Sequence, residues 1–305
     1  MNHLHHSLIT SLASALSKAK YAGSSWHLRA YINTSHIETS GQKRRHASTT
    51  PPASSRLSAA IVGAGPSGFY TAKYLASSFS KRIASEDSAP PFSGIDIDIL
   101  ERLPTPYGLV RYGVAPDHPE VKNVENDFAS IPTQQTSNSD TNNRCTVSYF
   151  GNVDVGRDIT LQHLSSLYDI VVLAYGCQSD KNLGIPGLEL KGVLSARQFV
   201  AWYNGHPEFG YVTDIVKECL WPENNHSHGE DEVSKARVVV IGNGNVALDC
   251  ARVMVKGKRG LESTDTPTSV LDVLGGGVEK VTVAGRRGHV QGAFTIKVIA
   301  AWIFI

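Results

Sequence analysis

The sequence predicts an α/β protein containing two strand–turn–helix–strand units, each with a glycine-rich turn between its first strand and its helix. Short apolar runs lead directly into both turns, helical patterns follow them, and a further apolar run completes each unit. The first turn is residues 63–68 (Gly-Ala-Gly-Pro-Ser-Gly) and the second is residues 242–247 (Gly-Asn-Gly-Asn-Val-Ala). A chain of 305 residues has room for about two such domains.

The first unit is predicted from four segments. Residues 57–62 form an apolar strand that runs into the turn, and residues 69–79 place apolar side chains on one helical face. Residues 95–100 alternate apolar and polar side chains, which is typical of a half-buried strand. Residues 169–174 indicate a buried strand of the parallel type.

The second unit is predicted to contain a strand at 237–241, a helix at 245–255 and a strand at 281–284. Residues 257–277 contain Pro267 and three consecutive glycines, and they are interpreted as a loop. Three other segments are interpreted as a hairpin over 145–155 and polar surface insertions at 130–143 and 222–236.

The first glycine turn has the pattern that binds a dinucleotide pyrophosphate. Gly63 permits the tight turn, Gly65 lets a pyrophosphate approach the backbone, and Gly68 lets the helix pack on the strand. Pro66 and Ser67, between Gly65 and Gly68, are also predicted to bind the cofactor, because they precede the helix whose N-terminal N–H groups attract anions. The alternative is a coincidental glycine turn.

The second turn follows the same logic, with Gly242 and Gly244 in the positions of the first two glycines. Asn245 and Val246 then open the helix, and Ala247 stands where the third glycine is usual. This packing position tolerates alanine.

The two units differ in the charge that follows the next strand. Glu101 ends the strand of the first unit, and a carboxylate at this position accepts hydrogen bonds from ribose hydroxyls. Arg286 and Arg287 follow Gly285 in the second unit, and guanidinium groups pair with a 2′-phosphate. The second nucleotide is therefore predicted to be NADP rather than NAD, the alternative being a solvated arginine pair.

Residues 1–50 have the composition of a mitochondrial targeting segment. The segment is rich in serine, threonine and histidine, and Glu38 is its one acidic residue against six lysines and arginines. An untargeted tail is the alternative. The whole chain has a formal net charge of +1, which gives no argument for nucleic-acid binding, and no run approaches the roughly 20 apolar residues of a membrane span.

The chain has 4 cysteines, and no two of them form a Cys-x-x-Cys pair. This spacing indicates neither a zinc ribbon nor a redox-active disulfide of the thioredoxin type. No metal site is predicted.

Residues 104–123, which follow Glu101, are apolar, punctuated by glycine and proline, and interpreted as a shaped loop beside a flat ligand. With this stretch, the chain resembles the mitochondrial adrenodoxin reductase family, the NADPH–ferredoxin oxidoreductases. The resemblance covers roughly residues 57–297 and rests on the following segments: 63–68, 104–123, 151–158, 201–205, 242–252 and 285–297.

The resemblance implies a glutathione-reductase-like fold with two Rossmann-type domains, which bind FAD over residues 57–178 and NADP over residues 179–297. It implies that Leu109 and Val153 contact FAD, on the flavin and adenine sides respectively. It also implies that His118 and Asp249 face the active site and could handle protons. A turn histidine and a surface acid are the alternatives for these two.

The family implies electron transfer from NADPH through FAD to a [2Fe–2S] ferredoxin. It places the protein in the mitochondrial matrix or on the matrix face of the inner membrane, with peripheral membrane association as an option, and a monomer is predicted. A basic surface would suit an acidic ferredoxin, and Arg252, Lys256, Lys258 and Arg259 are the candidates, with a solvated charged face as the alternative.

Family members continue beyond the segment that ends at Lys297, whereas here an apolar tail follows at 298–305. The sequence therefore predicts a C-terminally truncated chain that binds FAD poorly and aggregates, because an incomplete parallel sheet exposes apolar edges. The alternative functions are a non-catalytic fragment with residual nucleotide binding, and an NADPH-dependent flavoprotein subunit of a glutamate-synthase-like complex.

Overall fold

The structure, a computed structural model, describes residues 29–32, 56–85, 92–134, 145–181, 183–221, 236–275, 277–286 and 288. The chain divides into two compact units, the first comprising Met1–Val110 and Asn123–Gln178, and the second Arg111–Lys122 and Ser179–Ile305. Most of the predicted targeting segment, most of both polar insertions, Arg287 and the 298–305 tail lie outside the described residues.

A mostly parallel sheet forms the centre of the first unit. Its strands are β1 (Arg29–Ile32), β2 (Arg56–Val62), β3 (Gly94–Leu100), β4 (Cys145–Phe150) and β5 (Ile170–Leu173). They lie in the order β1-β5-β2-β3-β4, and β2 is parallel to both β3 and β5. The predicted α/β fold with a parallel sheet is confirmed.

Side chains of β2 alternate between two buried faces of this sheet. Ile61 belongs to the cluster that contains Leu75 of the first helix, whereas Val62 belongs to a cluster on the other face with Leu164. Burial on both faces explains why the strand has an almost uninterrupted apolar sequence. The helices of the first unit are α1 (Pro66–Ser85), α4 (Val124–Gln134) and α5 (Leu161–Leu167). Between β3 and α4 the chain also forms α2 (Leu109–Gly113) and α3 (Pro119–Lys122), and residues 111–122 belong to the second unit.

The second unit packs helices against a parallel pair of strands, β6 and β7. Its elements are α6 (Ala196–Tyr203), a 3-10 turn (Pro207–Phe209), α7 (Val212–Leu220), β6 (Ala236–Ile241), α8 (Asn245–Leu261), α9 (Thr268–Leu274) and β7 (Val278–Ala284). The core includes Trp202, Val253 and Leu274, with Val238 of β6 packed against it. The alternate side chains of β6 are exposed, as at Ile241, which is 73% accessible.

The prediction of a loop over 257–277 was wrong. Helix α8 continues to Leu261, and α9 follows at Thr268–Leu274. The helix kinks at Gly257, where φ is +54°, and then resumes because Leu261 is fully buried in the core. Glycines mark a bend here rather than the end of the helix.

The predicted hairpin over 145–155 was also wrong, since β4 pairs in parallel with β3. Residues 152 and 153, after β4, lie beside residues 101–103, after β3. The N–H of Asn152 donates to the carbonyl of Leu103 at 3.1 Å, and that of Val153 donates to the carbonyl of Glu101 at 2.9 Å. The loop expected over 104–123 contains the short helices α2 and α3.

Strand β1 lies within the predicted targeting segment and pairs antiparallel with β5, with Arg29 opposite Leu173. It was not predicted, because four residues are too few to show a periodic pattern. Among the helices that the structure describes, none is both long and apolar enough to cross a membrane.

Candidate functional site

The first glycine turn is built by close backbone contacts. Gly63 has φ +107°, and a Cβ built there would lie 2.6 Å from the carbonyl oxygen of Ala174. A Cβ at Gly68 would lie 1.9 Å from the carbonyl oxygen of Gly63. Both positions therefore require glycine, so that α1 can begin directly against the turn.

Gly65 differs from its two neighbours because a Cβ built there meets nothing within 4 Å. It directly precedes Pro66 and Ser67, and the first turn of α1 contains no acidic side chain. The helix N-terminus therefore offers open space, partial positive charge and a first turn without acidic side chains, which suits a pyrophosphate.

Glu101 is held beside this turn by two backbone donors. Its Oε2 accepts a hydrogen bond from the N–H of Ala64 at 2.9 Å, and its Oε1 accepts one from Leu103 at 3.1 Å. A carboxylate has about four lone-pair sites, so it can also accept bonds from ribose hydroxyls. The structure therefore fixes Glu101 at the edge of the open turn.

Residues 107 and 108 close the other side of the turn, and sequence reasoning did not identify them as site residues. The N–H of Tyr107 donates to the carbonyl of Ala64 at 2.7 Å, and Tyr107 has φ +83°. A Cβ at Gly108 would lie 3.1 Å from the Cα of Gly65. A tyrosine in this conformation is uncommon, and such strain is often found at ligand sites.

Leu109 and Val153 lie on segments attached to this cradle. Leu109 follows Gly108, begins α2 and is 58% exposed. Val153 is held next to Glu101 by the hydrogen bond of its N–H to the Glu101 carbonyl. Their positions allow contact with a ligand bound at the first turn.

The second glycine turn repeats the design of the first. Gly242 has φ +131°, and its N–H donates to the carbonyl of Ala284 at 2.8 Å. Gly244 is the N-cap of α8, no side chain caps this helix, and a Cβ at Gly244 meets nothing within 4 Å. A Cβ at Gly242 would lie 3.6 Å from that of Ala247, which is an ordinary contact distance, so the positive φ rather than lack of space favours glycine at 242.

The first helical turn of α8 begins with Asn245 and Val246 and contains no acidic residue, so it places no negative charge beside the second glycine turn. The pairing of Ile241 with Ala284 brings Gly242 and Gly285 to the same edge of the β6–β7 pair. Exposed Arg286 follows Gly285 directly. A Cβ at Gly285 would lie 2.8 Å from the side chain of Asn243, so a side chain at 285 would crowd the second glycine turn.

His118 and Asp249 lie together in the second unit. The Nε2 of His118 is 3.9 Å from the Oδ1 of Asp249, and its Nδ1 is 3.1 Å from the Oε1 of Glu120. The side chains of His118 and Asp249 are 15% and 19% exposed, respectively. The structure therefore brings together the two residues that were predicted to handle protons.

Next to this pair lies a buried ion cluster that sequence reasoning missed. The Nε and Nη2 of Arg252 donate to the two oxygens of Asp117 at 2.7 and 3.0 Å, and Lys256 Nζ lies 2.9 Å from Asp117 Oδ2. Burial acts to raise the pKa of Asp117, but the hydrogen bonds from Arg252 and Lys256 outweigh it and hold that pKa well below its usual range.

Arg252 also lies 2.7 Å from Asp249, measured from Nη1 to Oδ1. Its side chain is 0% exposed, so it cannot belong to a ferredoxin-docking surface, and this part of the prediction was wrong. The physical reason is that Arg252 faces the core side of α8, where Asp117 neutralises it. Lys256 pairs with the same buried carboxylate. Lys258 is half-buried and pairs with Asp272 on the surface, and Arg259 is exposed, so these two remain as docking candidates.

All four cysteines lie in the described part of the chain and are free thiols. Burial raises the pKa of Cys250 to about 12, so this thiol stays protonated at neutral pH. Among the described residues, no group of three or more histidine, cysteine or acidic side chains is placed to hold a metal ion.

The two open glycine turns are of the kind that bind dinucleotides. A family model described as pyridine nucleotide-disulphide oxidoreductase matches residues 57–301, and the chain belongs to this family.

Within the family, the chain is similar to proteins named NADPH:adrenodoxin oxidoreductase, mitochondrial. It is 43% identical to that of Arabidopsis thaliana over 247 residues, which are 80% of this chain and 43% of the relative. It is 44% identical to that of Bos taurus over 238 residues, which are 78% of this chain and 40% of the relative.

Solved structures of FprA from Mycobacterium tuberculosis are also similar. The His57Gln mutant has a TM-score of 0.66 and 38% identity, with 82% of this chain and 48% of that chain covered. FprA in complex with NADPH gives a TM-score of 0.65 at the same identity. The chain thus spans less than half the length of these relatives.

Proposed function

We propose that this chain acts in a flavoprotein reductase that passes electrons from NADPH through FAD to a [2Fe–2S] ferredoxin. One observation carries the proposal: two open glycine turns are followed by opposite charges, Glu101 in the first unit and Arg286 in the second. Relatives named NADPH:adrenodoxin oxidoreductase and the FprA complex with NADPH support it.

The first unit is proposed to bind FAD. The pyrophosphate would lie over Gly65, where the backbone is open, and the N–H groups at the start of α1 would donate to it. Glu101 would accept hydrogen bonds from the ribose, while Leu109 and Val153 would supply apolar contact to the ring systems. Gly63 and Gly68 shape the turn without touching the ligand through a side chain.

The second unit is proposed to bind NADPH. The uncapped start of α8, at Gly244, Asn245 and Val246, would receive the pyrophosphate. Arg286 would pair with the 2′-phosphate as a charge-assisted donor. Arg287, adjacent in sequence, is proposed to share this role.

Bound FAD would supply the hydride-accepting and single-electron-donating chemistry, so the reaction would need no protein nucleophile. The chain's own contribution is to bind and orient the two nucleotides. His118 and Asp249 are proposed to hold a proton at the His118 ring nitrogen Nε2, which lies 3.9 Å from the Asp249 carboxylate.

The partner and location are proposed from the same relatives. The name adrenodoxin oxidoreductase indicates an iron–sulfur ferredoxin partner, and the relatives are named mitochondrial, so we propose a mitochondrial protein, in the matrix or at the matrix face of the inner membrane. It would act as a monomer. Lys258 and Arg259, near the end of α8, are proposed to attract an acidic ferredoxin.

The test uses the full chain. FAD and NADP+ binding would be measured by calorimetry, and reduction of a [2Fe–2S] ferredoxin by NADPH would be followed by its visible absorption. Binding of both nucleotides together with ferredoxin reduction would support the proposal and would contradict the sequence-based expectation that this chain binds FAD poorly. Binding without electron transfer would favour a nucleotide-binding fragment, and failure to bind either nucleotide would overturn the proposal.

A further inference from the structure

Arg252 is a fully buried cation that contacts two carboxylates on two different segments of the second unit. Its Nε and Nη2 donate to Asp117, in the segment between α2 and α3, at 2.7 and 3.0 Å. Its Nη1 lies 2.7 Å from Asp249, three residues earlier on α8. The guanidinium therefore joins the 111–122 segment to the helix.

Each carboxylate that Arg252 contacts is next to, or part of, the proposed proton-handling pair of His118 and Asp249. Asp117 is adjacent in sequence to His118, and Asp249 is the other member of the pair, 3.9 Å from His118. A change at Arg252 would therefore alter the position of each member through a different contact.

Stability alone gives a weak reason for this arrangement. Burying charged groups is costly, and well-packed apolar residues of similar volume often stabilise a core as well or better. The 111–122 segment also has another anchor, because Lys122 Nζ donates to Asp265 at 2.6 Å and to Asn204 at 3.4 Å. The buried cluster therefore gives the 111–122 segment a second attachment to the unit, in addition to the contacts of Lys122 at its end.

We propose that Arg252 is the positioning residue for His118 and Asp249, and that Asp117 is the contact through which it acts on His118. The planar guanidinium holds the Asp117 carboxylate through two parallel hydrogen bonds, which fix direction as well as distance. This inference rests on the proposed function, because it assigns a purpose to a pair that the proposed reaction uses.

The test compares Arg252→Lys with the parent chain. Lysine keeps the positive charge but cannot form the two-point contact. The matched control is Arg237→Lys, because Arg237 also binds a carboxylate through two hydrogen bonds, to Glu279 at 3.1 Å each, but on the surface.

The first readout is amide hydrogen exchange in residues 115–121, which needs no activity. The N–H of His118 donates to Ala115 and that of Val121 donates to His118, so loosening of the segment would expose both amides. Exchange there is expected to accelerate about tenfold or more in Arg252→Lys, whereas exchange in β6 and the melting temperature change little. Arg237→Lys should leave exchange in 115–121 unchanged.

The second readout separates rate from affinity. The rate of flavin reduction at saturating NADPH is expected to fall about tenfold to a hundredfold, with the Kd for NADP+ within about twofold, because only the position of the pair changes. Unchanged exchange in 115–121 would overturn the inference, as would a loss confined to the melting temperature.

A parent chain that reduces no flavin would contradict the proposed function, and the exchange comparison would then still decide whether Arg252 fixes the segment. If Arg252→Lys does not fold, Asp117→Asn provides the same comparison, because it keeps the side chain's shape and weakens the same contact. Because this variant also lowers global stability, exchange that accelerates more in 115–121 than in β6 supports the inference, and equal acceleration in the two segments, or none, overturns it.

Discussion

Gly65 and Gly68 lie three residues apart in one turn, yet the structure gives them different requirements. Gly68 has no room for a Cβ because the carbonyl oxygen of Gly63 would be 1.9 Å away, whereas Gly65 has nothing within 4 Å. Gly68→Ala should therefore destabilise the fold by about 1–3 kcal/mol or more. Gly65→Ala should leave the free energy of unfolding within about 1 kcal/mol while weakening FAD binding.

Denaturant unfolding and calorimetric titration with FAD test this pair of variants together. The space at Gly65 is proposed to be occupied by the ligand alone. Gly68→Ala should therefore lower the free energy of unfolding, whereas Gly65→Ala should weaken FAD binding and leave that free energy nearly unchanged. Equal loss of stability in both would contradict the assignment of Gly65 to the ligand.

Asp117 should make stability depend on pH in the acid range. Its folded-state pKa lies below the unfolded value of about 3.9, so its contribution is present above that value and is lost as the pH falls below it. Asp117→Asn removes this contribution. Its free energy of unfolding should therefore fall less steeply than that of the parent chain between about pH 4 and pH 2.

At neutral pH the same variant should lose roughly 3 kcal/mol, because Arg252 and Lys256 would remain without their shared carboxylate. Urea unfolding at several pH values provides the measurement, and Asp272→Asn is the control, since Asp272 pairs with Lys258 on the surface. If the free energy of unfolding varied with pH in the same way in Asp117→Asn and the parent chain, the ion pairs of Asp117 with Arg252 and Lys256 would not stabilise the fold as predicted.

At the scale of elements, the sequence identified the strands and helices that surround both glycine turns. Strand β2 was predicted at 57–62 and is found at Arg56–Val62, because burial on both faces selects an apolar run. Helix α8 was predicted to end near residue 255, and its continuation to Leu261 was missed because the sequence from Gly257 onward was interpreted as a loop. Leu261 stays on the helical face that buries Cys250 and Met254, so the apolar periodicity continues past Gly257, whose own backbone is non-helical.

This kink gives a prediction for Gly257→Ala. Its φ of +54° and ψ of −157° lie in a region that essentially only glycine adopts, which costs a residue with a Cβ about 1–3 kcal/mol. The new Cβ would also lie 3.3 Å from the carbonyl oxygen of Leu274. The variant should therefore lose roughly 1–3 kcal/mol of unfolding free energy. Thermal melting would show this against Gly210→Ala, where the backbone is helical and a Cβ meets nothing within 4 Å. A neutral Gly257→Ala would mean that the helix straightens instead.

At the scale of the molecule, sequence reasoning located the phosphate-binding turns but not what surrounds them. Glycine patterns are local, so Gly65 and Gly244 could be identified from spacing alone. The contact between Asp117 and Arg252 joins residues 135 positions apart, and without the fold Arg252 resembled one more exposed basic residue on a helix. Such clusters depend on tertiary packing, which no local periodicity encodes.

The division of nucleotides between the units leads to a prediction about specificity. Arg286 follows β7 at the edge where the second glycine turn lies, and it is proposed to pair with the 2′-phosphate of NADPH. Arg286→Gln should weaken NADP+ binding about tenfold, or about 1.4 kcal/mol, because the pair is exposed to solvent and its electrostatic contribution is modest. NAD+ lacks this phosphate, so its Kd should stay within about twofold.

Calorimetric titrations of both nucleotides at low and high salt would measure this, with Arg237→Gln as a control on the neighbouring strand. In the parent chain, the difference in affinity between NADP+ and NAD+ should shrink at high salt, because salt screens the pair formed by Arg286 and the 2′-phosphate. In Arg286→Gln this difference in affinity should be small at both salt concentrations. An equal loss of affinity for the two nucleotides would mean that Arg286 contacts a part of the ligand that they share, and the discrimination would then have to come from another residue.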